Sequence, residues 1–184
     1  CRETESWVTL EAMKAYRASL LYFAAPAQAV LESDGLLVVA PNADGAQVVH
    51  AMGPYRDLQA QFAGVPVTHW PGRIIAPGFV DMHIHYPQTD VIGSPAEGLL
   101  PWLENYTFPH EKRFSAAGYS AQVAAFFIAE LLRNGVTTAL TFATSHPESV
   151  NALMAEAQKN QMRLITGTCP QARHSPDGAR DDTE

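Results

Sequence analysis

One short segment restricts this chain more than any other: Pro77-Gly78-Phe79-Val80-Asp81-Met82-His83-Ile84-His85. A Pro-Gly break leads into an apolar run of strand type that carries histidines at i and i+2. Successive side chains of a strand point to opposite faces. His83 and His85 therefore share a face with Asp81, while Val80, Met82 and Ile84 are expected on the other face, in apolar packing. Two imidazoles on one rigid strand can both reach a single metal ion, which makes His83 and His85 the candidate ligands. A lone strand histidine is ordinarily a satisfied polar residue; a pair placed straight after a backbone break is harder to read that way. Imidazole suits zinc, and it also suits iron, nickel and copper, so the residues alone leave the metal open.

Composition removes several function classes. With 184 residues, 47% hydrophobic and 17% charged, the chain is of globular type. Its formal net charge of -7 offers no basic footprint for nucleic acid or for an anionic membrane surface. No apolar run approaches the length needed to span a bilayer, and the longest, residues 123–132, contains Glu130. Glu3, Glu5 and Glu11 leave no basic region ahead of an apolar core, so no secretory signal is expected. The cysteines are Cys1 and Cys169, which give no disulfide framework and fit a reducing, cytoplasmic setting. A start at Cys1 and an abrupt polar finish over residues 177–184 are what a fragment is expected to show.

Two regions differ in pattern. Residues 1–76 read as short strands and turns and are expected to form part of a small β-sandwich domain. They contain an apolar run at 15–23, a strand at 35–40, a turn at 41–45 and a hairpin partner at 47–52. A short helix or turn at 55–62 and two extended pieces at 65–70 and 73–76 complete it. His50 and His69 are expected to be surface or structural residues. Residues 77–184 alternate instead: a strand at 79–85, helical patterns at 99–105 and 120–133, a strand at 136–142, a helix at 147–160 and a strand from 163 to 167. Asn134-Gly135 is a helix terminator. That alternation predicts a parallel sheet with helical crossovers. It matches the start of a (β/α)8 barrel, whose full length of about 250 residues is not reached. Three strands alone leave an edge and an apolar face uncovered.

The motif and its continuation resemble a known group of enzymes. Pro77-Gly78 followed by Asp81-Met82-His83-Ile84-His85 resembles the first-strand motif of the amidohydrolase superfamily. The stretches 85–90 (H-Y-P-Q-T-D), 100–109 (L-P-W-L-E-N-Y-T-F-P) and 126–139 resemble the guanine deaminases within it. The likeness spans roughly residues 10–168. It implies an N-terminal part of the metal-dependent barrel, preceded by strands of the sandwich domain. It further implies hydrolysis of guanine to xanthine and ammonia in purine catabolism, and one zinc per subunit (with iron as the alternative) held in part by His83 and His85. His85, Tyr86, Pro87 and Gln88 match the substrate-contacting segment. Gln88 has chemical sense there, because an amide offers both a donor and an acceptor to a purine edge. The full-length family is commonly homodimeric. The remaining metal ligands, the proton-shuttling glutamate and a base-holding arginine are expected beyond Glu184, so no general acid or base is assigned within the chain.

Other residues carry competing readings. Trp102 and Phe108 are stacking partners for a flat base or, more simply, core. His146 follows the second barrel strand and is a catalytic-face residue or a helix-entry residue. His110 and His174 read as exposed loop histidines. The segment after Gly167 (Cys169-Pro170-Gln171) departs from the family's usual third-strand continuation. The alternative functions are another amidohydrolase acting on an aminated heterocycle such as a pterin or triazine, and a non-catalytic fragment. Deaminases of the H-x-E, P-C-x-x-C type are excluded by the cysteine positions.

Overall fold

The computed structural model describes residues 9–170; Cys1, His174 and the acidic residues of 177–184 fall outside that span. The chain divides into two compact units, Cys1–Pro77 and Gly78–Glu184.

In the first unit, β1 (Lys14–Ala25) folds back on β2 (Gln28–Pro41) through Pro26-Ala27. The next turn is held by the Asn42 side chain, whose Oδ1 accepts from the amides of Asp44 and Ala46 at 3.0 and 2.9 Å. This side chain mimics a backbone turn partner, and it delivers the chain into β3 (Gln47–Pro54), antiparallel to β2. A single helical turn, α1 (Tyr55–Leu58), leads on to β4 (Val67–Ile75), which pairs parallel with β1. The sheet order is β3-β2-β1-β4. Leu36, Val38 and Ala40 alternate onto one face and are buried with Phe62 and Val65. On the opposite face Val49 and Met52 remain exposed. Among the described residues this region is thus one mixed sheet with apolar residues on both sides. The two extended pieces expected at 65–70 and 73–76 are one strand.

The second unit is a three-stranded parallel sheet, β5 (Phe79–His85), β6 (Val136–Phe142) and β7 (Arg163–Ile165), in the order β5-β6-β7. A helical run crosses from β5 to β6. It comprises α2 (Leu99–Trp102), a π-turn at Leu103–Thr107, α3 (Phe108–Glu111), a 3-10 turn at Lys112–Ser115 and α4 (Ala117–Arg133). The next crossover is α5 (Pro147–Lys159). In α4, Val123, Ala124, Phe127, Ile128 and Leu131 recur at helical spacing. They are buried against Ala139 and Ala143 at β6, and against Leu153 and Ala157 of α5. Small alanines, Ala139 in β6 and Ala143 just after it, leave room for that larger helix stripe.

Two glycines explain how β5 and β6 come to lie side by side. A Cβ on Gly78 would overlap the Thr137 side chain, so only glycine permits this approach. Gly135 ends α4 with φ +81, the left-handed C-terminal geometry that favours glycine, and its carbonyl accepts from the Phe79 amide at 2.8 Å. Among the described residues no single helix is long and apolar enough to cross a membrane.

Candidate metal centre and substrate loop

β5 lies at the edge of its sheet, and its pairing with β6 shifts between Phe79 and Val80 and again between Asp81 and Ile84. His83 and His85 fall on one face. Ile84, on the other, packs against the α4 core. Val80 and Met82 are 58% and 65% exposed. The expectation of apolar packing for these two is corrected: the pairing irregularities on either side of them interrupt the alternation on which it rested.

The two imidazoles converge. Their Nε2 atoms stand 3.2 Å apart. Two nitrogens each about 2.0–2.1 Å from a tetrahedral zinc lie about 3.3 Å from one another, so the spacing fits a pair of ligands to one ion. Asp81 Oδ1 accepts from the backbone amide of His83 at 3.0 Å, which fixes the strand locally. Phe142 closes the arrangement from the neighbouring strand. Its ring lies nearly parallel to His85 at 4.8 Å between centroids, and tilted at 5.0 Å from His83. The β5–β6 register pairs His85 with Phe142 directly. Burial, and secondarily the neighbouring His83, lower the pKa of His85 below the ordinary imidazole value. The metal-binding neutral form is favoured by the same environment. Among the described residues no group of three or more His, Cys, Asp or Glu side chains could hold a metal ion. His83 and His85 together could supply two of the four donors of a tetrahedral shell.

The loop after β5 is a 3-10 turn, Tyr86–Val91. Its residues have different destinations. Tyr86 is fully buried, set edge-on to Phe114 at 4.9 Å and tilted on Phe127 at 5.6 Å. Its hydroxyl donates to the Ser120 carbonyl at 2.5 Å, and burial pushes its pKa well up. Pro87 is also fully buried. The side chains of Tyr86 and Pro87 are therefore packed in the core, which leaves their backbone facing outward from it. Gln88 is half-buried and, with His83, Ile84 and His85, lines a hollow of about 550 Å³ whose far wall is α4 and its end (Phe126, Glu130 and Asn134). That volume lies within the range of small-molecule sites. Another hollow of about 360 Å³, on the N-terminal sheet beside Phe23, Leu37 and Met52, has no charged lining residue.

The remaining histidines separate clearly. His146 is the residue that enters α5, half-buried, with its Nε2 buried and without a hydrogen-bond partner. It follows β6 on the same end of the sheet as His85. Its loop is built on buried hydroxyls: Thr144 Oγ1 and Ser149 Oγ are 2.8 Å apart, and Ser149 Oγ donates to the His146 carbonyl at 2.9 Å. His110 is not a loop residue; it sits in α3 with Nδ1 2.9 Å from the Tyr106 carbonyl oxygen. His50 and His69 are exposed in the N-terminal unit. Trp102 and Phe108 are half-buried in the helical run. Phe142 was not singled out from the sequence. The signal for it is strand alternation combined with a parallel register, and the register emerges only when the two strands pair.

Comparison with known proteins agrees with this arrangement. Residues 74–184 match the model of the amidohydrolase family. The chain belongs to that family. Its members are generally metal-dependent hydrolases. A guanine deaminase of Escherichia coli (strain K12) is 48% identical over 120 residues, which is 65% of this chain and 27% of the relative. The solved structure of an E. coli guanine deaminase superimposes with a TM-score of 0.82 at 38% identity, over 91% of this chain and 40% of that one. The guanine deaminase of C. acetobutylicum, solved with guanine bound in its active site, gives a TM-score of 0.79 at 26% identity, over 92% and 39%. The chain thus spans well under half the length of these relatives. Its three parallel strands are the first part of the family's mixed α/β architecture.

Proposed function

We propose that these residues are the N-terminal part of a zinc-dependent guanine deaminase, converting guanine to xanthine and ammonia. The observation that carries this is the convergence of His83 and His85 to 3.2 Å beside the Gln88 loop, in a chain 48% identical to a guanine deaminase over its matched part. In this reading His83 and His85 are two ligands of one zinc ion, and the backbone of His85, Tyr86 and Pro87 with the amide of Gln88 forms the first wall of the substrate site. Residues 1–76 belong to the sandwich domain, and residues 77–184 are the first units of the barrel.

A zinc ion held there supplies Lewis-acid activation of water at neutral pH. This chain's own share is to hold the ligands neutral and aligned, and to offer an amide that can both donate to and accept from the purine edge. Phe142 keeps one side of the His85 ring from water.

The test is guanine deamination by the full reading frame that encodes this chain, with a His83→Ala control. Loss of a direct ligand is expected to lower zinc affinity and activity by more than about 100-fold, beyond the effect of a residue that only supports a ligand. Turnover of a different aminated heterocycle in place of guanine would keep the metal assignment and discard the substrate. The 184 residues alone are expected to give no turnover, since their described part lacks a third ligand; xanthine formed by them alone would refute the half-shell reading.

A further inference from the structure

The turn that carries Gln88 is fastened to the start of α4 at two points. At its first residue the Tyr86 hydroxyl donates to the Ser120 carbonyl at 2.5 Å. At its fifth, Asp90 Oδ2 accepts from the Tyr119 hydroxyl at 2.6 Å. Tyr119 and Ser120 are consecutive, so the two ends of the turn land on adjacent residues of one helix. Between the anchors, Thr89 Oγ1 donates to the Tyr86 carbonyl at 2.7 Å, and Pro87 fixes its own φ. Gln88 is left as the residue whose position the two anchors jointly set.

The second anchor has a third member. The Arg113 guanidinium lies 4.0 Å from the Tyr119 ring centre and 3.9 Å from Asp90 Oδ2. The next residue, Phe114, is fully buried, and its carbonyl accepts from Ser120 Oγ at 2.8 Å. Cation, ring and carboxylate therefore meet at one place, each delivered by a different element. Burial, and then the bond to Asp90, push the Tyr119 pKa up to about 12, so the phenol remains the donor. A partly exposed ion pair of this kind contributes little to global stability. Its location, two residues from Gln88, gives it a local role.

We propose that Asp90, Tyr119 and Arg113 form a positioning clamp for Gln88 that sets how accurately its amide meets the substrate. This rests on the reading of His85 to Gln88 as a substrate wall. None of the three touches the substrate; they act through the loop.

The experiment uses the full reading frame and Tyr119→Phe, which keeps the ring under Arg113 and removes only the donated proton. The KM for guanine is expected to rise about tenfold with kcat and zinc content nearly unchanged, the scale of one hydrogen bond to a charged group. Asp90→Asn, whose amide oxygen still accepts, is expected to retain most of the wild-type KM, whereas Asp90→Ala is not. In a Gln88→Ala background, Tyr119→Phe is expected to change KM by less than about twofold, because the residue through which it acts is gone. An equal factor in both backgrounds, or no effect in the parent, overturns the proposal. Amide exchange on the same protein decides the matter without substrate. Residues 88–90 are expected to exchange about tenfold faster in Tyr119→Phe, with α4 unchanged. Unchanged loop exchange overturns the clamp, whereas a parent without guanine turnover but with a loosened loop overturns only the substrate reading.

Discussion

Strands β1 and β2 run for 12 and 14 residues and are joined by a two-residue turn, whereas β5 and β6 run for 7 residues each and are joined through α2 to α4. The hairpin consumes its own strand ends: Pro26-Ala27 and Asn42 to Ala46 are occupied with reversing the chain. A parallel pair cannot be closed that way. At the carboxyl end of β5 the chain must leave the sheet and travel to a helix, and at the end of β6 it does so again. These exits carry Gln88 and His146. Among the described residues the N-terminal sheet places apolar residues on both faces, and its turns are short. Antiparallel economy leaves little backbone free to present side chains; parallel crossovers create loops at one edge where side chains can gather.

The strongest way to break this comparison is to remove the helix that the parallel sheet depends on. Phe127 is buried in α4 and packs against Tyr86. Phe127→Ala is expected to destabilise the C-terminal unit by about 3–5 kcal/mol. Read by amide exchange, protection is expected to fall in α4, β5 and β6 while β1 and β2 keep theirs. Equal loss in both sheets would show that the two units fold as one and that the contrast between them is only descriptive.

Much of this was legible before the strands were paired, and the exceptions have particular causes. β5 and β6 are punctuated by Pro77-Gly78 and Asn134-Gly135, and both strands begin where those breaks place them. The sequence predicts two pieces in the place of β4 because Pro71-Gly72 is a strong break. The strand instead bulges there: Gly72 has φ +68 and the pairing jumps from Arg17↔His69 to Ser19↔Ile74. An edge strand tolerates proline at a bulge, so a local rule was overridden by pairing. At the site, the H-x-H strand needs only alternation, which is local. Phe142 depends on register between strands far apart in sequence. The inward turn of Tyr86 depends on the Phe114 and Phe127 rings that receive it, and no local pattern encodes that pocket. The exposure of Val80 and Met82 has a related cause, since the shifts in the β5–β6 pairing on either side of them appear only when the strands meet.

A smaller effect sharpens the contrast at the metal strand. The folded His85 pKa lies below its unfolded value near 6.5, from burial first and His83 second. As pH falls the unfolded chain takes up protons before the folded one does. The contribution is thus fully present above the unfolded pKa and is lost as pH falls through the folded value. Zinc uptake is expected to weaken over the same window. Phe142→Ala exposes the ring and is expected to move the His85 midpoint, read by NMR titration, back up toward the ordinary value. An unmoved midpoint would show that Phe142 does not shield His85.

The smallest effect is expected in the N-terminal sheet, at its best-formed ion pair. Arg17 Nε and Nη2 donate to the two carboxylate oxygens of Asp34 at 2.7 Å each, joining β1 to β2, and the guanidinium lies 3.7 Å over the Tyr55 ring. The hydrogen bond from Arg17 is the main cause that lowers the Asp34 pKa. Its contribution is therefore present above the unfolded aspartate pKa and lost as pH falls through the folded one. The pair lies in solvent, where water and salt screen it and two long side chains lose freedom to hold one geometry. Asp34→Asn is expected to shift the thermal midpoint far less than Phe127→Ala, and the shift is expected to shrink further in high salt. A loss that rivals Phe127→Ala and persists in salt would mean that the hairpin register hangs on this pair, and that the N-terminal sheet is not held by apolar alternation and backbone pairing alone.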